Sequence, residues 1–287
     1  MRGRIIKILS KDYTVLLDTH ETIVAVAMGK LRRFSAPVVG DLVEVEKIGE
    51  DYAIQKVLER KNHMIRPACS NIDQAFIVMS VKDPDFCTSL IDRLSFLIVN
   101  AGIQPILIVT KIDLGISDEV EALIKEYEDG PMQVVRTGKG CLDPSFEYLF
   151  KDKVSVLTGQ SGAGKSTLLN QIDPSFKLAT QEISKALGRG RHTTRHNELH
   201  EVCGGLVADT PGFSSLDFEH MDQTELAQAV PDFAPYLGSC RFNDCVHQNE
   251  PGCAIKQAVE DGLIPRTRYN NYLDVLKTIQ TRRERYL

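Results

Sequence analysis

The chain has 287 residues, 43% of them hydrophobic, with 34 Lys and Arg against 39 Asp and Glu and a formal net charge of −5. That length allows two or three domains with real cores, and the mild acidity removes any chain-wide case for nucleic-acid binding. No apolar run reaches membrane-spanning length, Lys7, Lys11 and Asp12 interrupt any N-terminal secretory core, and an odd count of seven cysteines without an export signal points to a reducing, cytoplasmic setting.

Residues 3–59 carry five short alternating or β-branched runs, GRIIKIL, YTVLLD, TIVAVAM, DLVEVEKI and YAIQKVLE, separated by polar turns. Five such strands predict a small barrel, with an OB-fold the leading choice. Trp is absent and Tyr13, Phe34 and Tyr52 are its aromatics, so a base-stacking platform is poorly supplied and shape and charge must carry any RNA contact. Residues 61–71 read as a linker. Residues 72–216 then alternate strand and helix: IDQAFIVMSV, a helix from about Ser89, QPILIV, a helix from about Asp118, MQVV, KVSVLT, a helix from Ser166, NELHEV and GLVAD. That is a doubly wound α/β pattern. From Thr224 the pattern turns helical, through Ile255–Asp261 to a long helix after Pro265. The expected division is 1–63, 64–220 and 221–287.

Two motifs stand in an unusual order. Gln104–Val109 reads as a buried parallel strand, and Thr110-Lys111-Ile112-Asp113 sits at its carboxyl end, where open α/β sheets bind ligands. The Asp113 carboxylate can accept from the N1–H and 2-amino group of guanine, a donor pair adenine lacks. The Lys111 stem can lie along the base while its amine braces a phosphate loop. Thr110 stands where such readers usually carry Asn, keeping one oxygen and losing the amide. A final guanine-binding element of the Ser-Ala-Lys kind is poorly matched, Val134-Val135-Arg136-Thr137-Gly138 being the one candidate.

The phosphate loop follows: Gly159-Gln160-Ser161-Gly162-Ala163-Gly164-Lys165-Ser166 meets G-x-x-x-x-G-K-[ST]. Its glycines let successive N–H groups turn toward phosphate oxygens, Lys165 supplies a cation to the β- and γ-phosphates, and the Ser166 hydroxyl is a Mg²⁺ ligand. A strand before it and a helix after it argue against a chance Gly/Ser loop. Asp209-Thr210-Pro211-Gly212 follows an apolar run, so Asp209 can hold Mg²⁺ through water and the Gly212 N–H can sense the γ-phosphate. Between them, Gly188 to His196 reads as a loop in which Thr194, or second Thr193, completes Mg²⁺ coordination. His192, His196 and His200 fall four apart, but the glycines break the helix a metal face would need.

Cys240, Cys245, His247 and Cys253 form a C-x4-C-x-H-x5-C array. Three thiolates and one imidazole make a closed tetrahedral shell of the structural Zn²⁺ type, with no open position for catalysis. Cys69, Cys87, Cys141 and Cys203 are scattered and read as small apolar residues. Residues 264–287 hold six Arg or Lys against Asp274 and Glu284, a patch able to meet phosphate backbones, although a solvated helix face is the commoner use.

The small barrel, the motif order and the cysteine array together resemble the RsgA (YjeQ/YloQ) family of bacterial circularly permuted GTPases over nearly the whole chain. The resemblance implies an OB-fold, a permuted GTPase domain and a helical zinc domain. It implies a factor that binds the small (30S) ribosomal subunit and its 16S rRNA late in maturation and hydrolyses GTP to GDP when the subunit stimulates it. By this likeness Lys111 and Asp113 contact guanine, Gly159 to Thr167 contact phosphate, and the Cys3His set holds one structural Zn²⁺; the chain is expected to act as a monomer. Phe213 stands where many GTPases place a water-orienting Gln, so intrinsic turnover should be slow. His192 is the candidate for that task, with Arg189 or Arg191 as alternatives. The rival readings are an rRNA-docking scaffold in which nucleotide is structural, and a permuted GTPase serving RNA modification.

Overall fold

A computed structural model describes residues 1–29, 31, 36–65, 68–173, 198–208 and 218–284. The chain divides into two compact units. One takes residues 1–74, 144–157 and the described part of 165–212; the other takes 75–143, 158–164 and the described part of 213–287.

The first unit opens with β1 (Arg2–Leu9), β2 (Asp12–Leu17), β3 (Thr22–Ala27), β4 (Leu42–Ile48) and β5 (Asp51–Val57), which close into a barrel in the order β1-β2-β3-β5-β4. All five expected strands form. Strand alternation puts Ile5, Val15, Ala25, Val43 and Ile54 inside as one core. The β3–β5 pair is parallel, and register shifts between β1 and β2 at Ile5/Lys7 and between β4 and β5 at Glu44/Val45 bend the strands around.

The described residues of the expected linker instead form two paired strands. β6 (His63–Ile65) pairs antiparallel with β7 (Ala68–Ser70). A buried Asp41 carboxylate explains why they are fixed: it accepts from Arg60 Nε at 2.7 Å, Ser70 Oγ at 2.6 Å and the Val38 N–H at 2.8 Å. Asn62 and Ile72 exchange two further hydrogen bonds, of 2.7 and 2.9 Å. Polar side chains, invisible to hydropathy, do this work.

The same unit holds α3 (Phe146–Phe150), the start of β11 (Val154–Gly159), α4 (Lys165–Ile172), β12 (Leu199–Val202) and β13 (Gly205–Ala208). β13 runs parallel to β11 and antiparallel to β12. Gln74, fully buried, donates to Leu149 O at 2.5 Å and Ser155 Oγ at 2.9 Å.

In the second unit β8 (Gln74–Ser80) is buried at every position, as a strand covered on both faces must be. Next to it lies β9 (Gln104–Thr110), then β10 (Gln133–Arg136), parallel to β9. α1 (Thr88–Asn100) and α2 (Asp118–Glu128) connect them. The C-terminal elements are α5 (Gln223–Gln228), a 3-10 segment (Pro231–Tyr236), α6 (Ala254–Glu260) and α7 (Arg266–Glu284). They share one core with α1: Phe96 packs in the same cluster as Phe233, Ile255, Tyr272 and Leu276.

A buried charge network joins them. Asp92 of α1 is fully buried and accepts from Arg268 Nη1 at 2.8 Å, Asn271 Nδ2 at 2.6 Å and Tyr127 Oη at 2.9 Å. The Arg268 guanidinium stacks 4.0 Å from the Tyr127 ring centroid, and its Nε lies 3.4 Å from Asp232 in an ion pair that lacks hydrogen-bond geometry. Burial pushes the Asp92 carboxyl up to about 6 against the pull of Arg268.

Candidate functional site

β9 ends at Thr110, and the next residue, Lys111, takes the left-handed conformation at φ 60°, turning the chain into a short 3-10 segment, Ile112–Leu114. That turn leaves Asp113 exposed. Its Oδ1 accepts the Lys139 N–H at 2.8 Å. Gly138 is needed beneath it: a Cβ there would come within 2.6 Å of the same oxygen. A tight turn holds this support, with Gly138 N and Cys141 O 3.2 Å apart and Thr137 Oγ1 donating to Cys141 O at 3.1 Å. The candidate segment 134–138 therefore meets the reader, but the group that touches Asp113 lies one residue beyond it. The signal was a backbone N–H between two glycines, Gly138 and Gly140, which side-chain matching passes over.

The phosphate loop begins as β11 ends against β8. Gly159, at φ 123°, passes so close to Val78 that a Cβ would sit 2.0 Å from its carbonyl oxygen. Glycine is obligatory there. Ala163 is fully buried, and its carbonyl accepts the Thr110 hydroxyl at 2.6 Å. So the residue that departs from Asn ties the candidate guanine reader to the phosphate loop. The Lys111 amine donates to the carbonyl of Asp83, in the loop after β8, rather than to the phosphate loop itself. That loop lies alongside: Pro84 Cδ would be 3.7 Å from a Cβ on Gly162. Lys165, Ser166 and Thr167 form the first turn of α4, where the helix dipole favours an anion.

The four array residues also meet. Their ligand atoms all lie within 4.8 Å of one another. His247 Nδ1 is 3.5 Å from Cys240 Sγ and 3.4 Å from Cys253 Sγ, and the two sulfurs are 3.9 Å apart. The Glu250 carboxylate folds the connecting loop, accepting from the N–H groups of Val246, Gln248 and Asn249 at 2.9–3.1 Å. Tyr269 and Tyr272 of α7 donate to the carbonyls of His247 and Val246 at 2.6 and 2.5 Å. Burial pushes the Cys245 thiol up to about 12 and lowers His247. The set can hold a metal ion, whose binding would displace thiol protons. Of the remaining cysteines Cys69 is buried, as read, but Cys141 is exposed.

The switch assignments, Thr194 with Thr193, His192, Arg189, Arg191, Asp209, Gly212 and Phe213, lie outside the described residues. So do Phe34 in the barrel segment and Arg285.

A phosphate loop and a Thr-Lys-Ile-Asp reader, joined at parallel-strand ends with the reader first in the chain, define a circularly permuted GTPase. A profile described as RsgA GTPase matches residues 57–219, more than half of the chain. The chain is 47% identical to small ribosomal subunit biogenesis GTPase RsgA 2 of Oceanobacillus iheyensis, across 99% of each. It is 43% identical to small ribosomal subunit biogenesis GTPase RsgA of Bacillus subtilis, again across 99% of each. Among solved structures it resembles YloQ, a circularly permuted GTPase, at TM-score 0.83 and 38% identity over 98% of this chain and 95% of that one. It resembles YjeQ from Thermotoga maritima at 0.84 and 32% over 97% and 98%. The chain belongs to the RsgA GTPase family.

Proposed function

We propose that this chain is a cytoplasmic, monomeric GTPase that binds the small ribosomal subunit and its 16S rRNA during late maturation, with turnover stimulated by that subunit. The observation that carries the nucleotide part is the 2.6 Å hydrogen bond from Thr110 to Ala163, which couples reader and phosphate loop in inverted chain order. In this reading Asp113 accepts from guanine N1–H and the 2-amino group while the Lys139 N–H fixes the carboxylate. Residues 159–167 bind the phosphates, Lys165 offsets their charge and Ser166 is a ligand for Mg²⁺. Thr194, Asp209 and Gly212 complete the γ-phosphate sensor, and His192 orients the attacking water. The ribosomal part is supported by the names of full-length relatives. The segments 1–63, 64–220 and 221–287 serve as barrel, permuted GTPase and metal-bearing helical region.

The metal is Zn²⁺, held by Cys240, Cys245, His247 and Cys253. Bonds of about 2.3 Å to sulfur and about 2.1 Å to nitrogen give tetrahedral edges of about 3.8 Å for S···S and about 3.6 Å for S···N. The 3.9, 3.5 and 3.4 Å separations support that fit. Its role is structural.

GTP turnover measured against a titration of purified small subunits tests the proposal. A saturable rise is expected, on the order of 10³–10⁵ in rate by analogy with partner-supplied catalytic groups. Turnover that ignores the subunit would favour a docking scaffold.

A further inference from the structure

Beside the metal knuckle a cavity of about 310 Å³ opens in the second unit, at the small end of the range for ligand clefts. Three of the four candidate metal ligands, Cys240, Cys245 and His247, are among its lining residues. Among the described residues, no Asp, Glu, Lys or Arg lines it. A phosphate or carboxylate entering it would therefore find no cationic side chain among those residues, and burying an unpaired anion is costly. The lining instead combines the apolar Leu237 and Phe242 with neutral hydrogen-bonding groups, Thr224, Gln228 and Asn243. Those three side chains have no hydrogen-bond partner among the described residues. Such a lining suits a neutral, planar group with donors and acceptors along its edge.

The aromatic wall is held in advance. Phe242 is 41% exposed, and the Arg241 guanidinium lies 5.4 Å from its ring centroid. The Arg241 N–H donates to Gly252 O at 3.0 Å. Its stem runs over Gly252, where a Cβ would sit 3.2 Å from that of Arg241. A second part of the lining is also fixed: Asp222 and Glu225 form a capping box at the start of α5, and Thr224 and Gln228 stand one helical turn apart on that helix. Placing Arg241 beside the ring, outside the cavity lining, puts a cation where a nucleic-acid backbone would run while the base turns inward.

We propose that this cavity is a subsite for one unpaired RNA base, stacked on Phe242 and hydrogen-bonded along its edge by Asn243, Gln228 and Thr224. It deepens the RNA-binding part of the function proposed above and rests on that part. It also moves a stacking contact from the aromatic-poor barrel to the metal-bearing region.

The test uses the full zinc-loaded chain and an unstructured RNA octamer carrying a single 2-aminopurine. Wild type should change the probe's emission on binding. Phe242→Ala should weaken binding about 10-fold, within the range of single base–aromatic stacks, whereas Phe242→Tyr should retain it and Asn243→Ala should alter the preference among bases. Zinc content and GTP affinity, measured on every variant, should match wild type and exclude misfolding. Binding of the octamer equal in wild type and Phe242→Ala, or no emission change in wild type, overturns the subsite. So does capture of a peptide there in preference to RNA. Subunit-stimulated turnover separates the two levels. If wild type is stimulated and Phe242→Ala has the same half-saturating subunit concentration, the subsite falls and the function stands. If wild type is not stimulated but the octamer still reports a Phe242-dependent stack, the function falls and the subsite stands.

Discussion

Two aspartates in the same compact unit show opposite uses of one side chain. Asp92 is fully buried and takes hydrogen bonds from Arg268, Asn271 and Tyr127. Asp113 is exposed at a strand end and takes one, from the Lys139 N–H at 2.8 Å. The first has both oxygens engaged by donors from other elements, so it holds helices together. The second is aimed by a backbone donor yet keeps acceptor capacity for a ligand. The carboxylate proposed to bind guanine is the less satisfied of the two, and the one that joins helices is the more fully satisfied.

The C-terminal side of this contrast should give the largest effects. With zinc held as proposed, stripping the metal, followed by release of one zinc per chain into a chromogenic chelator, should collapse the knuckle, because the binding free energy of a structural metal is folding free energy. The tyrosine near-UV circular dichroism from Tyr269 and Tyr272 should fade while GTP affinity stays within about two-fold, since no guanine contact depends on the knuckle. An unchanged spectrum in the metal-free protein would break that separation. Arg268→Ala comes next. It leaves Asp92 buried without its cation, which should cost about 3–5 kcal/mol in urea denaturation; a loss below about 1 kcal/mol would mean water or Asn271 suffices.

On the reader side the changes should spare stability. Asp113→Asn should weaken GTP binding on the order of 10²-fold, through loss of two charge-assisted hydrogen bonds. Its preference should move to xanthine nucleotide, with unfolding free energy within about 0.5 kcal/mol of wild type. Retained guanine preference in equilibrium binding would remove Asp113 from the reader. The smallest effect is expected for Thr110→Val. Losing the bond to Ala163 O should cost about 1 kcal/mol, about five-fold in nucleotide affinity, with Thr110→Ser restoring it. Equal affinity in all three proteins would show that the phosphate loop keeps its shape without this tie.

The strands, the phosphate loop, the reader and the cysteine array were legible because each is written in periodicity or in fixed spacing of special residues. The barrel strands alternate, β8 and β9 are near-continuous apolar runs, and Gly159 must be glycine because Val78 leaves no room. What sequence hid were long-range polar contacts and backbone donors. Asp41 and Ser70 are 29 positions apart, Asp92 and Arg268 are 176 apart, and nothing local marks either pair. The Lys139 N–H carries no side-chain signature at all. Phe96 belongs to a helix of the nucleotide-binding segment yet packs in the C-terminal core, so composition could not place it.

The polar lock around Asp41 has a practical meaning for anyone excising the barrel. A fragment stopped at residue 63 would keep Arg60 but discard Ser70, whose hydroxyl donates to that carboxylate at 2.6 Å. It would also discard Asn71, which donates to Gly40 O at 3.1 Å, and the Val39 carbonyl would lose the Ser70 N–H at 2.9 Å. Constructive truncation should therefore run to residue 73 or beyond, because the barrel's own seal is supplied by chain that follows its last strand.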